Sequence, residues 1–537
     1  MDKIDFVIIA QSETVRYKEY SSMPIERIEL YRNLVQLRMV YCDGGFRSHI
    51  DMFNKALYNK YLGDASYDEK RSMLNIWNMP ALNGFLALNP LIKAGLKCKL
   101  INNFDAEIDI LFQYSKMMNP PIIGISTTFI LQWAEVGRIV KTIKVNIPNA
   151  IIIIGGAFVN DQFLTKGEKV FEKPMLKYGI AYALFSFNSE KDLLSLIEVI
   201  RTNQGSLMNV NNLAYIDADS VFRTTKSVWN EPDLRSTLPF RQTIDTNIDT
   251  KTLQVRTSSG CPFRCAFCSY PVTAGGYHKN SVDHLSRQLD EIKQIKGVEA
   301  IVFVDDTLNV PERRFREIVS LLKNYNFRWY SFYRVQYADE VLARDLKDSG
   351  CDGLYLGLES ANDKILMNMS KKAAVDGYRR GIEILKKHDI PLFGMFVIGF
   401  PGETEETVND NVDFINHSGL DFYSVKEFFY LHTAPIHKIR QHFELEGEGY
   451  RWRHATMTST QATELKLKMF EHINRSIHID PDLGLWYLIY LRDRGLGWTK
   501  IRNCQKIINT MLHKDNVGQY DDKESLFLEF RDALKTC

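Results

Sequence analysis

Leu253-Gln254-Val255-Arg256-Thr257-Ser258-Ser259-Gly260-Cys261-Pro262-Phe263-Arg264-Cys265-Ala266-Phe267-Cys268 is the stretch whose reading decides the fold. It begins as a short apolar strand and runs into a loop that carries Cys261, Cys265 and Cys268 in C-x3-C-x2-C spacing. Three thiolates this close together can each hold one iron of a cubane [4Fe–4S] cluster. The fourth iron is then left without a protein ligand, and an open coordination position marks a reactive site rather than a structural one. Three plainer readings compete. A zinc ion normally takes four ligands in two separated pairs, and the nearest candidate, His278, stands alone. A disulfide leaves one of the three cysteines over, and inert thiols are the third alternative. Spacing and context favour the cluster.

Downstream, apolar strand-like runs end on polar residues. Ala300–Val304 leads into Asp305-Asp306, Arg328–Tyr333 into Arg334, Gly353–Leu358 into Glu359-Ser360, and Leu392–Phe400 into Pro401-Gly402-Glu403. Phe422-Tyr423-Ser424-Val425-Lys426 reads as a sixth strand. Helical stretches at 282–295, 312–324 and 375–387 lie between. Polar residues at strand carboxyl ends are those that reach the site of a βα barrel. Six units make an incomplete (β/α)6 barrel, open on one side.

Upstream, Asp5–Ala10, Cys98–Asn102, Pro121–Ser126 and the buried run Ile151-Ile152-Ile153-Ile154 alternate with helical segments. Such runs argue for a doubly wound parallel sheet covered on both faces, a Rossmann-like domain. Its ligands bind at strand carboxyl ends, where Gly124, Ser126, Gly155 and Gly156 lie. A polar and aromatic insertion runs from the first strand to about Asn78. The pattern breaks between about Val210 and Thr250, around Pro232 and Pro239, where an inter-domain linker is expected. The α/β fold so read has a Rossmann-like domain with an N-terminal extension over 1–235, a partial barrel over 245–445 and a helical C-terminal region over 446–537.

With 537 residues, a net charge of +1, and 45% hydrophobic and 25% charged residues, the composition is that of an ordinary globular protein and gives no sign of general nucleic-acid or membrane-surface binding. The five other cysteines, Cys42, Cys98, Cys351, Cys504 and Cys537, are too scattered for a disulfide framework or a second cluster. No signal-peptide pattern opens the chain, and its longest apolar stretch, Ala150 to Val159, is too short for a membrane span. A cytoplasmic location is expected for an oxygen-sensitive cluster with free thiols.

The cysteine motif, Val304-Asp305-Asp306-Thr307, Leu356-Gly357-Leu358-Glu359-Ser360 and Val397–Thr404 resemble radical S-adenosylmethionine (SAM) enzymes with an N-terminal cobalamin-binding domain. The likeness is closer to the PhpK-type P-methyltransferase family of phosphinothricin tripeptide biosynthesis. Tyr41-Cys42-Asp43-Gly44, Phe327–Arg334, Thr433–His437 and Gly449–Met457 carry that closer likeness. The resemblance implies a [4Fe–4S] cluster, SAM and cobalamin as cofactors. It also implies radical methylation of an unactivated carbon or phosphorus in a small-molecule or peptide substrate, with a flavodoxin or ferredoxin as electron donor. SAM would serve twice, as methyl source for cobalamin and as source of a 5′-deoxyadenosyl radical. Where such domains ligate cobalt from below they use Asp-x-His-x-x-Gly. That motif is absent here, and His49 is the only histidine in the first 277 residues, so cobalamin is expected without a histidine lower ligand. The acidic-glycine turn of such domains reads Phe187-Asn188-Ser189-Glu190 here.

On this reading Cys261, Cys265 and Cys268 are the cluster ligands. Phe267 packs on the SAM adenine or simply within its loop. Arg334 is the candidate partner of the SAM carboxylate, with a surface ion pair as the alternative. Glu359 and Ser360 suit the amino group or ribose. Asp305 and Asp306 suit the amino group, a substrate or a helix cap. Gly399, with Pro401 and Gly402, permits close backbone approach. Tyr423, Lys426, His432, His437, Trp452 and His454 are candidates for the substrate side, with Arg451 and Arg453 as either an anion site or a solvated face. Two other functions stay open. One is a cobalamin-independent radical SAM enzyme that abstracts hydrogen, crosslinks or transfers another SAM fragment such as aminocarboxypropyl. The other is a non-catalytic iron–sulfur protein.

Overall fold

A computed structural model describes residues 3–13, 19, 22–28, 35–243, 251–480, 484–521 and 523–535. Cys537 lies outside the described residues. The first sheet has seven strands: β1 (Phe6–Gln11), β2 (Cys98–Asn103), β3 (Ile122–Ser126), β4 (Ile151–Gly155), β5 (Tyr182–Leu184), β6 (Leu213–Ile216) and β7 (Phe222–Thr224). They lie in the order β2-β1-β3-β4-β5-β6-β7. β2, β1, β3, β4 and β5 run parallel. The run of four isoleucines explains why this sheet is covered twice. Ile152 and Ile154 enter the core that includes Val136 and Ile139, while Ile153 enters the core on the other face with Leu82 and Phe85. The strand order reverses between β1 and β3, the kind of position where doubly wound sheets open a crevice. β6 and β7 close the sheet as antiparallel strands, so the linker expected from Val210 onward begins later than the sequence suggests.

The second sheet also has seven strands: β8 (Thr252–Val255), β9 (Ala300–Phe303), β10 (Arg328–Tyr333), β11 (Cys351–Glu359), β12 (Leu392–Ile398), β13 (Phe422–Glu427) and β14 (Ile477–His478). All neighbours are parallel. The six expected strands are there in sequence order, and the two-residue β14 extends the edge. β8 and β14 stand at opposite edges of the order, so the sheet is an open barrel wall.

Alternation divides each barrel strand between two cores. Ile301, Phe303, Trp329 and Leu354 pack outward with helix residues such as Phe315 and Ile318. Ala300, Val302, Tyr330, Tyr355, Phe393 and Phe422 pack inward. Their inner partners come from two distant segments. One is the N-terminal extension, through Val40, Ile50 and Phe53; the other is the C-terminal helices Gly484–Asp493, Trp498–Asn516 and Glu524–Lys535, through Tyr487, Ile501 and Phe530. The C-terminal helices therefore share one core with the extension and the barrel floor. The stretch expected to open the helical region folds first into a small antiparallel sheet of Glu446–Glu448, Arg451–His454 and Met457–Thr458. No helix among the described residues is long and apolar enough to cross a membrane.

Candidate functional site

The cysteine loop leaves β8 and is pinned before its first cysteine. Ser258-Ser259 pairs with His278-Lys279 in a short antiparallel ladder. Gly260 has φ +76°, and a Cβ there would stand 1.6 Å from the Gly276 carbonyl oxygen, so no other residue fits this turn without displacing backbone. Farther along, the Ala266 N–H donates to the Met369 carbonyl, and the Ala266 carbonyl accepts from the Ile436 N–H. The loop is thus stitched to the segments after β11 and β13. Cys261, Cys265 and Cys268 are free thiols, which removes the disulfide alternative.

The three thiols lie within electrostatic reach of one another. Among the described residues no three His, Cys, Asp or Glu side chains converge on one point as a single ion demands. A cubane makes no such demand, because its three protein thiolates bind three separate irons. Burial pushes the Cys265 and Cys268 thiols up, Cys268 to about 12, while Lys371 and Arg334 pull Cys265 back down. Bound iron deprotonates such thiols outright. Thr307 completes this side, its hydroxyl 3.4 Å from the Cys261 sulfur.

Arg334 follows β10 and is buried. Its guanidinium lies 3.6 Å above the Phe263 ring of the cysteine loop and donates to the Lys371 carbonyl. Its Nε is buried without a hydrogen-bond partner. A buried guanidinium nitrogen left open beside the cysteines is a position for a carboxylate ligand. Lys371, which sequence reasoning missed, is buried and pairs with Glu359 at 2.8 Å. Its ammonium also lies 6.0 Å from the Phe267 ring. Phe267 meets Phe400 edge-on at 6.4 Å. These residues bring cation, carboxylate and aromatic surface to one wall, and they fit a cluster with SAM at its open iron. No local pattern marks Lys371 in the sequence: it follows a short helix, Asp363–Asn368, after the Glu359 strand end.

Other expected site residues stand elsewhere. Asp305 is buried, and it accepts from the Thr257 N–H, the Thr257 hydroxyl and the Ser258 hydroxyl; it anchors the loop start and has little left to offer a ligand. Asp306 is exposed and lies within electrostatic reach of Cys268. The Ser360 hydroxyl accepts from the Asn362 N–H and is fully buried, a local turn role. At Gly399, with φ +85°, a Cβ would meet the Trp452 ring at 2.3 Å, so the close approach there is by Trp452.

Three substrate-side expectations need correction, for Trp452, His454 and Tyr423 are buried. Trp452 is buried and donates from Nε1 to the Phe428 carbonyl. His454 stacks on Trp452 and bonds the Gly399 carbonyl at 3.1 Å through Nε2. Both brace the Gly399 turn from behind. Tyr423 is buried against the outward core and beside His478, because it alternates with the inward Phe422. His437 is half-buried, with Nδ1 2.7 Å from the Tyr430 hydroxyl and its ring stacked on the exposed His432. Lys426 is exposed at the end of β13, on the strand face that Phe422 and Ser424 share.

A second feature lies at the carboxyl ends of the first sheet. A cavity of about 360 Å3, partly open to solvent, lies between the two sheets. Gly124, Ser126, Gly155 and Gly156 line it from the Rossmann-like side, with Asn83, Leu86 and Phe129. Gln254, Arg256, Val304 and Phe332 line it from the barrel side, and Trp486 from the C-terminal helices. Gly124 also makes room beneath the floor, since a Cβ there would strike Phe6 and Ile8 at 2.5 and 2.8 Å. The lining is mainly apolar, with a few polar groups. Asn83 donates to the Ala10 carbonyl and the Ser126 hydroxyl, and its Oδ1 is buried with no partner. A broad apolar chamber at the switch point, with an orphaned acceptor in its wall, fits a flat ring with polar edges such as a corrin. His49 is not among the residues that line this cavity: its Nδ1 accepts from Gln505, its ring meets Tyr487, and burial pushes it down to about 3.

Residues 255–415 match the radical SAM superfamily. An uncharacterized methyltransferase of Pyrococcus horikoshii is 32% identical over 171 residues, which are 31% of this chain and 37% of that protein. The chain thus spans less than two fifths of that relative's length. The fold is like that of TsrM from Kitasatospora setae, a radical SAM methyltransferase solved with cobalamin and a [4Fe–4S] cluster. The TM-score is 0.58 at 14% identity, covering 85% of this chain and 97% of TsrM. It is also like OxsB, a cobalamin-dependent SAM radical enzyme solved with aqua-cobalamin and SAM, at TM-score 0.58 and 16% identity, covering 86% of this chain and 72% of OxsB. This chain carries a radical SAM domain, set across a shared cavity from a Rossmann-like domain.

Proposed function

We propose that this chain is a cobalamin-dependent radical SAM methyltransferase acting on a small molecule or peptide. One observation carries the reading: the cavity at the switch point of the first sheet is walled on its other side by barrel residues at the carboxyl ends of β8, β9 and β10. A ring held there would lie against barrel strand ends, and the cysteine loop leaves one of those strands, β8. The cluster and SAM would supply a one-electron route to a radical, and cobalamin a transferable methyl group.

The chain's own residues hold and orient. Cys261, Cys265 and Cys268 would bind three irons. Arg334, fixed flat on Phe263, would take the SAM carboxylate through its open Nε. Glu359, charge-paired with Lys371, lies at the same wall for the amino group. Phe267 and Phe400 offer an apolar surface. Val304 and Phe332 line the cavity from the barrel side and would keep water from a group bound there, which would protect a radical from side reactions. Lys426, exposed near the end of β13, would suit an anionic substrate group. With His49 packed away, the cobalt would have no histidine beneath it.

The finer likeness to P-methyltransferases rests partly on Trp452 and His454. Both brace the Gly399 turn, so that likeness speaks for a shared scaffold more than for a shared substrate. A flavodoxin or ferredoxin as electron donor and a cytoplasmic location go with the reading.

The test is anaerobic reconstitution with iron, sulfide and hydroxocobalamin. The expected result is one cubane and one corrin per chain, with SAM turned over to S-adenosylhomocysteine and 5′-deoxyadenosine in the presence of substrate. Protein that holds the cubane and takes up no corrin would sink the proposal and leave the cobalamin-independent reading.

A further inference from the structure

We propose that Glu190 and Arg256 form a two-sided grip for a primary carboxamide on the molecule that fills the cavity, and so select an amidated ring over its carboxylate form. The inference rests on the cobalamin reading above. Glu190 opens the helix Glu190–Thr202 of the first domain, and Arg256 follows β8 of the second. Both line the cavity. They lie within electrostatic reach of each other, yet neither enters an ion pair among the described residues. Among the described residues the Glu190 carboxylate has no hydrogen-bond donor beyond its own backbone N–H, and Asp233 and Asp192 are its other charged neighbours. Burial pushes the carboxyl up, and Arg256 pulls it back down.

Two opposite charges that face one cavity without touching leave room for a group that is donor and acceptor at once. A primary carboxamide is such a group: its NH2 donates and its oxygen accepts. Placed there, it would donate to Glu190 and accept from Arg256, so both half-buried charges would gain partners. A carboxylate in the same place would satisfy Arg256 but set a second negative charge against Glu190. Asn83 Oδ1, also unpartnered in the cavity wall, is a further acceptor that a carboxamide can serve and a carboxylate cannot. The wall therefore suits a ring rimmed with carboxamides.

The experiment uses the full chain with its cluster reconstituted. Equilibrium dialysis, read by visible absorption, compares hydroxocobalamin with cobyrinic acid, whose rim carries carboxylates. The unsubstituted protein is expected to prefer hydroxocobalamin by about 10-fold or more, the scale of one hydrogen bond to a charged group. Glu190→Gln keeps size and an acceptor oxygen but drops the charge; it should retain hydroxocobalamin and bind cobyrinic acid more tightly than the parent. Arg256→Leu should weaken hydroxocobalamin by about 10-fold. The grip is refuted, with the cobalamin reading intact, if the parent binds both rings alike or if Glu190→Gln keeps the parent's ratio. Binding of neither ring overturns the cobalamin reading itself.

Discussion

Arg334 shows how much one side chain depends on its setting. Its stack on Phe263 fixes the guanidinium plane, and the bond to the Lys371 carbonyl fixes its rotation, so the open Nε points one way. Arg334→Met keeps bulk and removes the charge. SAM affinity of the reconstituted protein, measured by equilibrium binding, should fall about 10- to 100-fold, the range for a charge-assisted hydrogen bond. Arg334→Lys should not restore it, because an ammonium has no plane to stack. A second residue makes a pH prediction. Glu403 is fully buried, accepts from the Gly399 N–H at 2.5 Å, and is pushed up to about 8 by burial. Its folded-state value lies above its ordinary one, so the stability it contributes is complete in acid and lost as pH rises toward 8. The loss is about 1.4 kcal/mol per pH unit across that window. Thermal midpoints at pH 6 and pH 9 should show the parent losing stability, and Glu403→Gln should remove most of that slope.

At the scale of elements, the cysteine loop depends on backbone more than on side chains. Gly260→Ala would push a methyl group into the Gly276 carbonyl, and the ladder at Ser258-Ser259 would have to open. The expected outcome is a protein with unchanged far-ultraviolet circular dichroism and clearly substoichiometric iron after reconstitution; full iron content would show that the ladder does not set the loop. Much of this level was legible beforehand. Buried β-branched runs such as Ile151–Ile154 and polar residues closing apolar runs name their strands with little help from tertiary context. Strand faces were less legible. Phe422-Tyr423-Ser424-Val425-Lys426 is covered on both sides, so no alternation of polarity says that Tyr423 faces out and Lys426 in. Trp452 and His454 misled for a related reason: a buried indole and imidazole that bond main-chain carbonyls look, in sequence, like groups waiting for a substrate. Lys371 was missed because its partner Glu359 is fixed by a strand end twelve residues away and not by a local pattern.

The whole molecule rests on a core that no local reading reveals. Residues 37–79 and the C-terminal helices meet beneath the barrel floor, with Tyr330, Tyr355 and Phe393 between them. Phe53 stands at this junction, fully buried, its ring 4.9 Å from Phe530 and 6.1 Å from Tyr487. If the segments form one cooperative unit, a cavity at Phe53 weakens all of them together, since packing losses in a shared core are felt by every element that lines it. Phe53→Ala should cost about 3–5 kcal/mol. Hydrogen exchange should then report faster opening in β10 and in Trp498–Asn516 as well as in the mutated helix His49–Tyr58. Loss of protection confined to residues 37–79 would mean that the extension is a separate layer that leans on the barrel. A coupled loss would mean that the barrel floor, and through β9 and β10 the Val304 and Phe332 wall of the cavity, is held in place jointly by residues 37–79 and the C-terminal helices.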